Sequence, residues 1–437
     1  MSQSAEQTAN NNSVFPGPLR ARPEYFVAGR GRYGVYYLID HLLRSLAWGS
    51  DREAMGNLSI TVETEGTLKL TRRWPGCQDL YPELEGSLNP PAGVSLAEHH
   101  FLRCVNGIKS GKFDRLQWVR GNPFTAIYLA VSVALSSRAK LSLTCSQGTF
   151  TQTYREGVPA GEVARSAGGE AALSLELLLD STILQEEIPS YPFRIRLREL
   201  ACLLPGINME LQYKGFKPVK FKAENGVREL LEFYVPDADR LHPEPFMFEY
   251  DDKKGMNYRC ALFLIQSEME RLKSFAGLDE SYHGGTHENV FRDVVLGVFR
   301  QLHKFEVPER RQSLENIASS RMTYFGTFGA TIPYNLEERK SEFVRTVPGV
   351  AAAIHFDSPE LEWESNHRAR ALKPELDEDF RSELLFEFRR WVLEQSDTIR
   401  AWKEQWAPKG RRKRTPTSSS STTEKKDEKD EEDENDS

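Results

Sequence analysis

The stretch from Tyr33 to Trp48, YGVYYLIDHLLRSLAW, constrains the chain more than any other. Its apolar residues Val35, Leu38, Leu42, Leu43 and Leu46 recur at spacings of three and four. That spacing gives one continuous apolar face and predicts a helix seated on a core. His41 and Ser45 are four residues apart, so they are neighbours on one side of that helix, where a catalytic pair could stand. Asp40 is the nearest carboxylate, but one residue along a helix turns a side chain by about 100°, onto another face.

The surrounding sequence alternates strand and helix patterns. LSITVET and GTLKLTR alternate apolar and polar residues around Gly66 and predict a β-hairpin. GVSLAEHHFLRCVNGI begins a helix with a Ser95 cap and Glu98 three residues later. Phe124 to Ser137, apolar all round, predicts a buried helix. Leu141–Cys145, Phe150–Tyr154 and LSLELLLDS read as strands, with Pro159–Glu170 as a loop between the second and third. PFRIRLRELACLLPGINMELQYKG reads as helix, turn and strand. Beyond Lys220 come a short helix at Asn225–Phe233, strands at Phe246–Tyr250 and Ala261–Gln266, and a glycine turn with a long helix at His283–Phe305. A strand in VAAAIHFDSP and a helical stretch at Asp377–Gln405 complete the pattern.

Composition excludes several classes. The longest apolar run, Phe124–Leu135, is far short of the roughly 20 residues that span a bilayer, so no membrane is expected. MSQSAEQTANNNS has neither a basic start nor an apolar segment, and a cytoplasmic address follows as the expectation. Cys77, Cys104, Cys145, Cys202 and Cys260 are scattered, without a C-x-x-C pair for zinc or redox chemistry, and read as reduced, mostly buried thiols. The nine histidines include no H-E-x-x-H. Glu424–Ser437 holds nine acidic and three basic residues, a net of −6, which leaves only −1 of the formal −7 on the rest of the chain.

Six segments carrying seven motifs, in order, resemble the N-terminal half of the DNA gyrase B protein and its topoisomerase relatives. RARPEYFVAG resembles the family's R-K-R-P-G-M-Y-I-G arm, and GVSLAEHHFLRCVNGIKSGKFD its G-V-S-A-A-E segment with H-A-G-G-K-F-D. VALSSRAKLSLTCSQGTFTQTYREGVP keeps the Q-x-Y-x-x-G-V-P ending, and RLREL with Pro205, Gly206 and Ile207 resembles the end of the ATPase domain. HGGTHENVFR resembles G-G-T-H-x-x-x-F-R of the transducer, and SNHRARAL stands in the place of the lysine loop. The resemblance implies an α+β fold: a two-layer ATPase domain of the gyrase, chaperone and histidine-kinase superfamily, followed by a βαβ transducer. The expected layout is an arm over 1–17, an ATPase-like domain over 18–219, a transducer over 220–395, a helical extension over 396–407, and a basic then acidic tail over 408–437. No E-G-D-S-A motif of a TOPRIM domain occurs in this sequence, so these residues are not expected to supply a DNA-cleavage site.

The same resemblance implies ATP and Mg²⁺, and it assigns positions to them. In register, His41 stands where the family carries the glutamate that activates water, and Ser45 where an asparagine binds magnesium. A neutral imidazole can accept a proton but offers no negative charge beside a metal, and a lone hydroxyl is a weak magnesium ligand. In RRWPGCQ, Arg72 replaces the aspartate that accepts from the adenine amine, Trp74 replaces the first glycine, and Gly76 alone matches. A guanidinium has no acceptor to offer. In WVRGNPFTA the phosphate lid keeps only Gly121, and Pro123 removes an N–H. The later T-G-T is also missing from GEAALSLE. Lys112 of the KFD turn could meet a phosphate; Asn366 and Arg368 replace the glutamine and lysine of the loop that reaches the γ-phosphate. Gly284, Gly285 and Thr286 read as turn and helix-cap residues.

Two principal readings follow. In one, the chain is a degenerate, non-hydrolysing module that forms a homodimer or binds a topoisomerase subunit or DNA. In the other, it is an active ATP-driven clamp whose cleavage domains lie on other chains. A third, a DNA-binding accessory protein, would rest on the GRRKR cluster and on the arginines of the C-terminal helix.

Overall fold

The computed structural model describes residues 15–27, 29–47, 56–80, 82–110, 127–267, 269–303, 310–313, 343–358, 361–363, 371–372, 376 and 378–406. Helix α1 (Gly17–Ala21) and a 3₁₀ turn (Pro23–Tyr25) lead into α2 (Arg32–Ala47). Gly34 is required where α2 begins, because a Cβ there would lie 1.8 Å from the Gly29 carbonyl oxygen. The hairpin β1 (Asn57–Val62) and β2 (Leu68–Arg73) follows, then the short α3 (Pro82–Glu85), α4 (Leu96–Ser110) and α5 (Tyr128–Ala134). Ser95 caps α4 as expected, its Oγ accepting from the Glu98 N–H at 3.1 Å.

The apolar stretch expected as one helix over Phe124–Ser137 divides instead. Helix α5 stops at Ala134, and Ser136 opens β3 (Ser136–Cys145), longer than the expected Leu141–Cys145. Ala139, Leu141, Leu143 and Cys145 alternate inward from there, a period of two that the preceding all-apolar run conceals. Strand β4 (Gly148–Arg155) is followed by two short strands, β5 (Val158–Pro159) and β6 (Ala164–Ser166), in the segment expected to be loop. Their N–H and C=O groups pair with the edge of β4, which otherwise would be left open. Strand β7 (Ala172–Leu179), α6 (Ser190–Leu203), β8 (Asn208–Tyr213) and β9 (Val219–Phe221) complete a sheet ordered β5-β4-β3-β7-β2-β1-β8-β9, with β6 beside β4. All of its pairings are antiparallel except β1 with β8.

Helix α7 (Val227–Tyr234) leads to a second sheet built from β10 (Phe246–Asp251), β11 (Asn257–Leu264), β12 (Arg271–Ala276), β13 (Asp279–Glu280) and, after α8 (Thr286–His303) and the two-stranded β14 (Arg310–Ser313) with β15 (Phe343–Thr346), β16 (Val350–Asp357). Its order is β10-β11-β16-β12-β13, with β12 and β16 parallel. Sequence reading placed no strand over Arg271–Ala276, since Lys273 and Ser274 interrupt its apolar pattern. A small ladder of β17 (Glu362–Trp363) and β18 (Ala371–Leu372) precedes α9 (Glu378–Glu394) and α10 (Ser396–Trp406).

The result is a mixed α+β architecture of alternating layers. One core joins the inner face of the first sheet, helices α2, α4, α5, α6 and α7, and one face of the second sheet through Ala261, Phe263, Phe275 and Ala353. A second core lies on the other face of that sheet, where Leu262, Ile354 and Phe356 join α8, α9 and α10 through Phe299, Phe388 and Trp402. Burial on both faces explains why β11 and β16 contain the apolar runs Cys260–Leu264 and Val350–Ile354. The first sheet keeps the strict alternation of a sheet with one face uncovered.

Candidate functional site

Helix α2 places His41 and Ser45 on one side, as its spacing predicts, but both side chains are occupied. The His41 ring is 5% exposed. It stacks on Tyr37 with centroids 3.9 Å apart and lies 4.4 Å from the Tyr128 ring of α5. Its Nδ1 is 3.0 Å from the Tyr37 carbonyl oxygen and its Nε2 is 3.0 Å from Arg44 Nη2. Arg44 Nη2 lies 2.9 Å from Nδ1 as well, so the guanidinium faces both ring nitrogens while the Tyr37 carbonyl meets Nδ1. Both ring nitrogens therefore lie within hydrogen-bond distance of groups on α2 itself. Ser45, half-buried, donates its Oγ hydrogen to the Leu42 carbonyl at 2.7 Å.

Asp40 is committed as well. Its carboxylate lies 2.8 Å from Arg44 Nη2 and 2.5 Å from Arg196 Nε of α6. Burial alone would raise its pKa, but the guanidiniums of Arg196 and Arg44 outweigh it and hold the carboxyl well below the usual carboxylate range. The charges then continue away from α2. Arg196 donates to Glu199 at 3.1 Å and to the Leu278 carbonyl. Glu199 accepts from Lys273 of β12 at 2.8 Å and from the Tyr234 hydroxyl of α7 at 2.6 Å. Lys273, 1% exposed, reaches Glu280 of β13 at 2.7 Å, and Arg44 pairs with Asp279 beside it. For Glu199, burial pushes the pKa up, and Lys273 and Arg196 reverse the sign, leaving it lowered. This seam ties α2 and α6 to the second sheet.

Sequence reading missed the seam. A signal was present in PFRIRLRELACLL, where Arg196 and Glu199, three apart, fall on the buried side of an otherwise apolar helix face, and in RLKSFA, where a lysine interrupts a strand.

Arg72 is fully buried on β2, on the same inward side as Leu68 and Leu70, opposite Leu58 and Leu173. Its guanidinium carbon lies 5.4 Å from the centre of the Trp74 ring, which is itself 6% exposed. The indole is anchored by its backbone N–H to the Ala171 carbonyl at 3.0 Å. Gly76 adopts φ +79 in the turn after β2, and its N–H lies 3.3 Å from Glu170 Oε1. An adenine amine needs an acceptor; Arg72 offers donors alone. Lys112, Gly121, Asn366 and Arg368 lie outside the described residues. In the second sheet's region, Gly284 takes φ +74 in a turn and α8 starts at Thr286, the turn and cap positions expected for GGT.

No protein-family model matches the chain. It is 23% identical to the DNA gyrase B-subunit of Streptomyces coelicolor over 325 residues, 68% of this chain and 46% of that protein. Against the DNA gyrase B-subunit of Thermotoga maritima it is 22% identical over 306 residues, 66% of this chain and 45% of the relative. Among solved structures, the B-subunit of the DNA gyrase from Myxococcus xanthus superposes with a TM-score of 0.62 at 18% identity, covering 89% of this chain and 99% of that one. The chain is gyrase-B-like in sequence and fold. The 43K ATPase domain of Thermus thermophilus gyrase B, solved with an aminocoumarin, also superposes, with a TM-score of 0.59 at 15% identity over 90% of this chain and 94% of that one. This gyrase-B-like chain spans about half the length of the curated relatives it matches. No helix among its described residues is long and apolar enough to cross a membrane.

Proposed function

We propose that this gyrase-B-like ATPase and transducer module no longer hydrolyses ATP and serves as a dimerisation or partner-binding scaffold linked to DNA topology. The observation that carries the reading is Arg72, a fully buried cation against Trp74 at the position where the family's adenine-binding aspartate stands. The residues at these positions do not fit the nucleotide. Arg72 cannot accept from the adenine amine, and two sets of donors facing each other bring no compensating interaction. The positions given to water activation and magnesium hold a histidine with both nitrogens engaged and a hydroxyl turned to its own helix. Ordering a hydrolytic water needs a base within hydrogen-bond reach whose lone pair is available.

Isothermal titration of the full chain with ATP, and with a non-hydrolysable analogue, each in the presence of Mg²⁺, tests this. The expected result is no saturable heat. Micromolar binding accompanied by magnesium-dependent turnover would favour the active clamp instead.

A further inference from the structure

The outward face of the first sheet, on which no helix among the described residues packs, carries a continuous row of hydroxyls. Neighbouring outward positions line up hydroxyl against hydroxyl across five strands: Thr151 on β4, Ser142 on β3, Ser174 on β7, Thr71 on β2 and Ser59 on β1. Ser142 and Thr151 are hydrogen-bonded at 2.9 Å, and Thr144 and Thr149 in the next row at 3.1 Å. At about 4.8 Å between strands, the five-hydroxyl row extends for roughly 19 Å.

Cations surround the row. The outward charged side chains of the sheet are Lys69, Arg73, Arg138, Lys140, Arg155 and Lys220 against Glu176, Glu210 and Glu63, which directly follows β1 and pairs with Lys69, still a positive excess on a chain whose formal charge is −7. Glu176 sits in register between Lys140 and Lys69 and offsets part of the charge there. Arg138 and Arg155 have no such relief. They stand directly opposite each other on β3 and β4, both exposed, and neither forms an ion pair with a described residue. Like charges facing each other across strands destabilise a sheet, so the pair contributes nothing to folding. Outward positions of β1, β2, β3, β4, β7 and β8 carry no aromatic side chain on which a single-stranded base could stack.

Hydroxyl donors interleaved with guanidinium and ammonium groups are the chemistry that contacts a phosphodiester backbone without reading bases. We infer that the open face of this sheet, centred on Arg138, Lys140 and Arg155 beside the Thr151–Ser142 row, binds the backbone of duplex DNA without sequence preference. The choice of DNA over RNA rests on the proposed link to DNA topology; the location of the surface does not.

Fluorescence anisotropy of a labelled duplex of about 30 base pairs, titrated with the full chain between about 50 and about 200 mM KCl, tests the inference. Wild type should bind with steep salt dependence. The triple variant Arg138→Gln, Lys140→Gln, Arg155→Gln should lose affinity about tenfold or more near 100 mM salt, with the slope of log K against log salt reduced by about 2 to 3, since each phosphate contact contributes about 0.9. A matched variant of α9, Arg381→Gln, Arg389→Gln, Arg390→Gln, should bind as wild type does. Unchanged affinity and slope in the sheet variant would overturn the inference while leaving the topology reading in place. Loss confined to the α9 variant would move the contact off the sheet and overturn it equally. Tighter binding of a matched RNA duplex would overturn the assignment to DNA, and no DNA binding by wild type even at low salt would overturn both the inference and the topology link.

Discussion

His41 and Lys273 are both buried polar side chains, and their surroundings differ in kind. His41 finds its hydrogen-bond partners on its own helix, at Tyr37 and Arg44, and Ser45 likewise bonds to Leu42. Lys273 forms its ion pairs with distant elements, Glu199 on α6 and Glu280 on β13. Polar groups satisfied within one turn of helix can be exchanged with little effect on the fold. Charges satisfied across elements hold those elements together, and removing one strands the others without solvent. The positions that the resemblance assigns to the family's chemistry should therefore cost less to change than the seam beside them.

The largest effect should come from the seam. Lys273→Met leaves Glu199 and Glu280 buried beside an apolar chain, and chemical denaturation should show a loss of about 3 to 5 kcal/mol. A loss below about 1 kcal/mol would mean that solvent reaches the seam and would dissolve the contrast with His41.

Acid should act on the same region. Asp40 and Glu199 both have folded pKa values below their ordinary ones. A depressed carboxyl contributes stability that is complete above its unfolded value, about 4, and is lost as pH falls from there toward the folded value. The urea midpoint should accordingly drop most steeply below about pH 4 in wild type. In Lys273→Met the lowering of Glu199 is weakened, so its midpoint should depend less on pH in that window; an unchanged acid slope would show that the seam carboxylates do not govern it.

At the site positions the effects should be smaller. His41→Ala removes one stacked ring and two hydrogen bonds, for about 2 kcal/mol. Ser45→Ala removes a hydroxyl bonded to its own helix and should change stability by less than about 0.5 kcal/mol, since such a bond competes with the helix as much as it supports it. A Ser45 effect as large as that of Lys273 would break the distinction between local and cross-element partners.

Much of the fold could be read in the chain because its signals are local. The hairpin around Gly66, the Ser95 cap and the apolar stripe of α2 are each set within one short stretch of chain. What escaped was either locally ambiguous or long-range. The turn from α5 into β3 lies inside one apolar run, where helix and buried strand look alike. Strand β12 was concealed by Lys273, whose presence in a buried strand makes sense only once Glu199 is placed beside it. The site divides in the same way. His41, Ser45 and Arg72 could be singled out in the sequence by resemblance, but that Arg72 is fully buried against Trp74 depends on β2 packing between β1 and β7. The pairing of Arg196 with Asp40, 156 residues apart, and of Arg44 with Asp279, 235 apart, leaves no periodic trace.

Whether the site hydrolyses ATP is decided by phosphate release from ATP and Mg²⁺, measured side by side for wild type and His41→Ala over a range of chain concentrations. Both proteins should release phosphate at the rate of the protein-free control. Magnesium-dependent turnover by wild type that His41→Ala abolishes would contradict a non-hydrolysing site, because it would make His41 a working base.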